Sequence, residues 1–212
     1  MLCDGAGSAA MGGEGAHLVA RYMSIRARAH FVRSTSHPDD ETILRWIADT
    51  RNSISRAAGK RQLQSSDFAS TMVCVFSDGS ETTVAHIGDG CVVASGSLDC
   101  EWEALTWPAQ GEYASTTYFI TDEPKPKIRI SRRNHPVSAL VAFTDGMERL
   151  ALDFAALRPH APFFQGIVSP VKLSQSLGRD AKLSEHLQKY LNSAAVNART
   201  DDDKTLLAAI FR

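Results

Sequence analysis

Four separated places in the chain share one design, an apolar run that stops at an aspartate in a turn: Asp4-Gly5, Gly88-Asp89-Gly90, Asp145-Gly146 and Asp201-Asp202-Asp203. Asp-Gly is foremost a turn dipeptide, because glycine takes positive φ without steric cost, and any one of these taken singly reads as a turn and no more. The set carries chemistry that its members do not. Strand ends of one sheet system reach a common rim, and carboxylates delivered there repel one another by an amount on the order of several kcal/mol in a partly dry site. Hard divalent cations remove that repulsion, and an all-oxygen set suits magnesium or manganese rather than zinc. Glycine after the acid lets a backbone carbonyl approach the ion as a further ligand. Two such ions lower the pKa of a shared water and hold a phosphoryl group for in-line displacement, so the chemistry inferred is phosphate-ester hydrolysis.

The elements between these turns must bring them together. Ser8 is the expected N-cap of a helix to about Ala29, with Leu18, Val19, Tyr22, Met23 and Ile25 along one stripe. A second helix is expected from about Asp39 to Ala58, with Asp39, Asp40 and Glu41 in its first turn and Ile43, Leu44, Ile47 and Ile54 on its buried side. The period then becomes strand-like. Phe68 to Phe76 and Thr82 to Ile87 flank Ser77-Asp78-Gly79-Ser80 as a hairpin. Further strands are expected over Cys91–Ala94, Glu101–Trp107, Thr116–Thr121 and Ser138–Phe143, the last leading straight into Asp145. A helix over Met147–Leu157, a loop or broken helix over Arg158–Pro170, a helix over Leu173–Leu191 and a strand over Thr205–Phe211 complete the chain. Helices, then many strands, then helices and a final strand argue for an α+β fold rather than a doubly wound parallel sheet.

Composition narrows the function further. A chain of 212 residues has the length of one domain and can bury a core without staples. Lys plus Arg number 23 against 24 Asp plus Glu, which leaves no basic field for nucleic acid or an anionic membrane. No apolar run approaches the roughly 20 residues that span a bilayer. Cys3, Cys74, Cys91 and Cys100 form no C-x-x-C pair and follow no secretory signal, so reduced thiols in a cytoplasm are expected. His17, His86 and His186 lack ligand spacing and read as packing or surface residues. Arg129, Arg132 and Arg133 before His135 offer a site for a phosphopeptide, but a solvated loop is the better reading. Trp102 and Trp107 read as core or rim aromatics.

The acidic turns and their order resemble the metal-dependent protein phosphatases of type 2C, most closely their compact bacterial branch, along nearly the whole chain. Asp4-Gly5-Ala6-Gly7-Ser8 is similar to the family's Asp-Gly-x-Gly turn, Ala69-Ser70-Thr71 to its Gly-Ser-Thr strand start, and Ile87-Gly88-Asp89-Gly90 to its Gly-Asp-Ser turn. Thr144-Asp145-Gly146 resembles its Ser-Asp-Gly, Asp202-Asp203-Lys204-Thr205 its closing Asp-Asn-x-Thr, and Gly111-Glu112-Tyr113-Ala114 with Thr116-Thr117-Tyr118-Phe119 a stretch typical of the bacterial branch. The resemblance implies a four-layer α-β-β-α sandwich of two antiparallel sheets flanked by helices. It also implies a serine/threonine phosphatase whose two manganese or magnesium ions are held by Asp4, Asp145 and Asp202 with the Gly5 carbonyl, and a third, weaker ion between Asp89 and Asp145. Phosphorylated proteins are the expected substrates, a cognate Ser/Thr kinase the expected counterpart, and a monomer the expected state.

The departures set up a competing reading. Family members carry a phosphate-gripping arginine and a metal-binding acid on a strand before the Asp-Gly turn. This chain reaches Asp4 almost at once, so residues 1–212 are expected to form one phosphatase domain lacking its N-terminal segment. The third residue of the first turn, a histidine in many eukaryotic members, is Ala6, so a leaving-group proton must come from elsewhere. The alternative function is a catalytically impaired domain that binds phosphoproteins or regulates a kinase. An aspartyl-phosphate mechanism of the haloacid-dehalogenase kind is disfavoured, because Asp4-Gly5-Ala6 lacks the second acid of Asp-x-Asp.

Overall fold

A computed structural model describes residues 1–96, 101–109 and 117–212. The chain begins with helices α1 (Gly12–Phe31) and α2 (Asp40–Gly59). Helix α2 starts where its sequence directs. Asp39 is the N-cap, its carboxylate accepting from Thr42 N at 2.8 Å, and Asp40 and Glu41 sit at the positive end of the helix dipole. Its buried stripe is Ile43, Trp46, Ile47 and Ile54, whereas Leu44, expected inside, is 44% exposed. One residue is about 100° of helix rotation, which turns Leu44 out of a stripe spaced by threes and fours.

Strands β1 (Met72–Ser77), β2 (Thr82–Ile87), β3 (Cys91–Ser95), β4 (Glu103–Thr106), β5 (Arg129–Arg133) and β6 (Ala139–Phe143) follow. The last third holds α3 (Glu148–Ala151), β7 (Leu152–Asp153), β8 (Arg158–Pro159), α4 (Ala161–Leu173), α5 (Ala181–Leu191), α6 (Ala194–Asn197) and β9 (Leu206–Ile210). One antiparallel sheet runs β1-β2-β5 and a second runs β4-β3-β6-β9, while β7 and β8 form a two-stranded pair.

The period-two alternation of the strands divides the apolar residues among three clusters. Met72, Cys74, Phe76, Ala85 and Ile87 point outward from the first sheet onto Val19 and Met23 of α1 and Ile43, Ile47 and Ile54 of α2. Val73, Val84, Val92, Ala94, Leu140 and Ala142 fill the space between the sheets. Cys91, Val93, Ala139, Val141 and Phe143 point outward from the second sheet onto Phe164 and Val168 of α4 and Leu191 of α5. Strands covered on both faces need apolar side chains at every position, which is why β3 and β6 read as unbroken hydrophobic runs. The result is the four-layer α-β-β-α sandwich, with helices outside and two antiparallel sheets within.

Several local expectations fail for identifiable reasons. Helix α1 starts after Met11, not at Ser8, because residues 6–11 wind into turns in which Ala9 N donates to Ala6 O and Gly12 N to Ala9 O. Ser65–Phe68 is a short 3-10 turn, so β1 begins only at Met72. Residues 117–121 form no strand, although Ile120 N donates to Ser70 O at 2.9 Å; Thr116, like Gly111 to Ala114, lies outside the described residues. The helix after Met147 stops at Ala151, where the chain reverses through the β7–β8 hairpin with Leu157 at φ +50. Residues expected as a broken helix are mostly α4, since Pro162 falls in the first turn, where a missing N–H is harmless. The leucine stripe does not extend back to Leu173, because Gly178 at φ +77 and the Asp180 N-cap delay α5. Leu173 and Leu177 are accordingly exposed.

Candidate metal centre

Each acidic turn is fixed by contacts that its sequence makes possible. Asp4 lies beside the start of β1, where Thr71 N donates to Asp4 O at 2.8 Å and Asp4 N donates to Thr71 Oγ1 at 3.1 Å. Gly5 presses on the beginning of α1 so closely that a Cβ there would fall 2.2 Å from Gly12 C. Asp89 sits where the chain crosses from β2 in one sheet to β3 in the other, with Gly88 at φ +105 against the Thr71 side chain. Asp145 ends β6, and Gly146 N donates to its Oδ1 at 2.9 Å. The Asp202 turn is tied to the Asp145 turn. Thr144 N donates to Thr205 O and Thr205 N to Thr144 Oγ1, both at 3.1 Å, and the Asp203 carbonyl packs directly on Gly146.

These contacts bring Asp4, Asp89, Asp145 and Asp202 into one electrostatic cluster. Burial pushes the Asp145 carboxyl up to about 7, helped by the charges of Asp89, Asp202 and Asp4. Asp145 then donates a hydrogen bond to the Asp4 carboxylate. Asp4 is also raised, chiefly by burial and then by Asp202, Asp203 and Asp89. Burial raises Asp89, with Asp202 adding to it. Three of the aspartates are half-buried and Asp202 is exposed, so the cluster opens to solvent on the Asp202 side.

Residues 1–192 match the model of the protein phosphatase 2C family. The chain belongs to the protein phosphatase 2C family. Serine/threonine-protein phosphatase 3 of Escherichia coli (strain K12) is 34% identical over 215 residues, spanning 99% of this chain and 82% of that protein. Among solved structures, a bacterial serine phosphatase superposes with a TM-score of 0.68 at 16% identity, over 99% of this chain and 84% of that one. The catalytic domain of the serine/threonine protein phosphatase PstP, in complex with 2 manganese ions, gives 0.65 at 14% identity over 99% and 86%.

The cluster of this phosphatase 2C chain includes one acid that its motifs do not announce. Glu148, in the opening turn of α3, is raised by burial and by Asp89 and Asp202, with Arg149 offsetting part of the effect. The available signal was its position three residues after Asp145, directly after the short 3-10 turn that Asp145 opens. Asp203 adds charge at Asp4. The histidines stay out of the centre as expected: His17 and His186 are exposed, and His86 is buried in β2. Trp102 stacks on Phe164 in the core, with ring centroids 5.1 Å apart. The basic cluster is no loop but β5, and strand alternation splits it. Arg132 turns outward to Asp40 and the Pro38 carbonyl, while Arg129 and Arg133 turn the other way, Arg133 to Glu103. A large cleft of 1080 Å³ between α4, α5 and β9 contains none of the four aspartates; apolar residues such as Phe163, Leu187 and Leu207 line it.

The donor set fits hydrated hard cations. Among the described residues, no three His, Cys, Asp or Glu side chains close tightly enough to cage an ion by themselves. Magnesium and manganese keep several waters and need only one or two carboxylates each, completed by carbonyls such as that of Gly5. The raised carboxyls carry the same message, since protons hold together in the free chain what cations neutralise in the loaded one.

That proton makes the metal-free state sensitive to pH. A carboxyl raised in the folded state favours folding at low pH, and its contribution is lost as pH rises from about 4, where unfolded aspartate titrates, to about 7. His86 slopes the opposite way below about pH 6.5, because burial holds it neutral, so the test compares two proteins rather than two buffers. In EDTA, Asp145→Asn is expected to melt above the parent at pH 8, with the gap shrinking at pH 5. Equal melting at both pH values would show that Asp145 is not crowded by its neighbours.

Proposed function

We propose that this chain is a manganese- or magnesium-dependent phosphatase that hydrolyses phosphoserine and phosphothreonine on proteins. The observation that carries the reading is the convergence of four aspartate turns, from both sheets, on a centre where Asp145 is raised to about 7 by burial and its neighbours. Asp4, Asp145 and Asp202, with the Gly5 carbonyl, would hold two ions, and Asp89 with Asp145 a third. Ions at such a centre supply Lewis acidity and charge neutralisation for attack of water on a phosphate monoester. The chain's own part is positional. Thr71 registers the Asp4 segment against the start of β1, the Thr144–Thr205 pair registers Asp145 against Asp202, and Gly146 lets the two turns touch.

Residues 1–212 are read as a single phosphatase domain, working as a monomer in the cytoplasm and opposing a Ser/Thr kinase. The E. coli relative supports the substrate class by its name. No helix among the described residues is long and apolar enough to cross a membrane. The test is release of phosphate from a phosphothreonine peptide by the purified chain, with manganese and with EDTA. Turnover that requires manganese supports the enzyme. Peptide binding without turnover in either condition would replace it with the impaired, phosphoprotein-binding reading.

A further inference from the structure

The Asp89 turn is held from below by a pair of residues that the metal chemistry does not use. Arg129 on β5 stands directly across from His86 on β2, and its Nη2 lies 3.0 Å from His86 Nδ1 and 3.3 Å from the Gly88 carbonyl. Guanidinium has only donors, so Nδ1 must accept and the ring proton must sit on Nε2. His86 is fully buried, and its Nε2 has no partner among the described residues. An apolar residue would fill that volume without burying an unsatisfied N–H. The ring is therefore explained by what Nδ1 does, which is to receive Arg129. Burial keeps it neutral, with its pKa down at about 3, so the acceptor persists across the working pH range.

Arg129 is itself half-buried, and among the described residues no carboxylate pairs with it. Its acceptors are the imidazole and the Gly88 carbonyl. That carbonyl also accepts from Ala109 N at 3.1 Å, while the Gly88 Cα rests on the Thr71 side chain and Gly90 on Val73. The turn is thus clamped on the residue before Asp89, and the guanidinium is the clamp's charged arm. We infer that Arg129, oriented by His86, is a positioning residue that sets the Asp89 turn and so the affinity of the ion shared by Asp89 and Asp145. The inference rests on the proposed role of Asp89 as a ligand.

Manganese titration of the whole chain by calorimetry, with free manganese followed by electron paramagnetic resonance, tests it on the parent, Asp89→Ala, Arg129→Met and Arg129→Lys. Removing a residue that orients a ligand costs about 10- to 100-fold in metal affinity. Arg129→Met should therefore weaken the weakest site about tenfold or more, the same site that Asp89→Ala abolishes, and leave the tighter sites within about twofold. Lysine keeps the charge but cannot fork to both acceptors, so Arg129→Lys should fall between parent and methionine variant. Should the methionine variant not fold, the lysine variant decides, and an unchanged weakest site there overturns the inference. Loss of the site in Asp89→Ala with parent-like titration of both Arg129 variants overturns it while leaving the Asp89 reading intact. Parent-like titration of Asp89→Ala removes that reading and the inference with it. Equal weakening of all sites would show that Arg129 only supports the sheet.

Discussion

Asp145→Ala is expected to lower manganese-dependent hydrolysis of a phosphothreonine peptide by about 10³-fold in kcat. Asp145 interacts with each of the other three aspartates proposed as ligands: it is hydrogen-bonded to Asp4 and raised by Asp89 and Asp202. In the proposed centre it serves more than one ion, so its loss removes charge from the whole group rather than from one ligand position. The methyl group of alanine lies at the end of β6 and packs no worse than the acid, so the fold should survive. Circular dichroism and melting checked beside the kinetics separate loss of chemistry from loss of structure. A folded Asp145→Ala variant with more than about a tenth of parent turnover would place the chemistry elsewhere.

Gly146→Ala should cost about 10²-fold in turnover although it adds one methyl group and removes no ligand. A Cβ at this position would stand 2.2 Å from Asp203 O and 3.0 Å from Asp203 C. Backbone has nowhere to hide from such a contact, so the Asp201-Asp202-Asp203 turn must move by about 1 Å relative to Asp145, a displacement large enough to spoil alignment for catalysis. Overpacking of this kind also destabilises, by about 1–3 kcal/mol. The diagnostic pattern is a fall in turnover that added manganese only partly restores, with helix content unchanged. Turnover at the parent level would mean that the two turns need not touch.

The sandwich and its acidic rim were legible because they depend on patterns that tertiary context reinforces. Strand runs such as Ala139–Phe143 are apolar at every position, and this one leads straight into Asp145-Gly146, where a Cβ on the glycine would collide with Asp203 O. Asp4, Asp89 and Asp145 could be paired with one another because an extended apolar run leads into each, whereas Asp202 follows helix α6 and precedes β9, so it joins them from the start of a strand rather than from its end. Elements decided by neighbours were not legible. Helix α5 shares a leucine spacing with the residues before it, and only Gly178 and the Asp180 cap show where the helix begins. Arg129, Arg132 and Arg133 look like a basic loop until the α2 entry takes Arg132 on one face of β5 while His86 and Glu103 take Arg129 and Arg133 on the other. Glu148 carries no glycine beside it, so its place beside Asp89 follows from the tightness of the turn after Asp145 rather than from any dipeptide.

The acids of the centre come from different sheets. Asp4 hangs on the edge of the first, Asp89 on the crossover, and Asp145 and Asp202 on ends of the second. Cations bound among them would act as rivets through the seam of the sandwich, opposing any sliding of one sheet over the other. Chelation would then loosen the molecule along that seam before either helical layer melted, and protection from amide hydrogen exchange would fall first at the strand ends facing the rim.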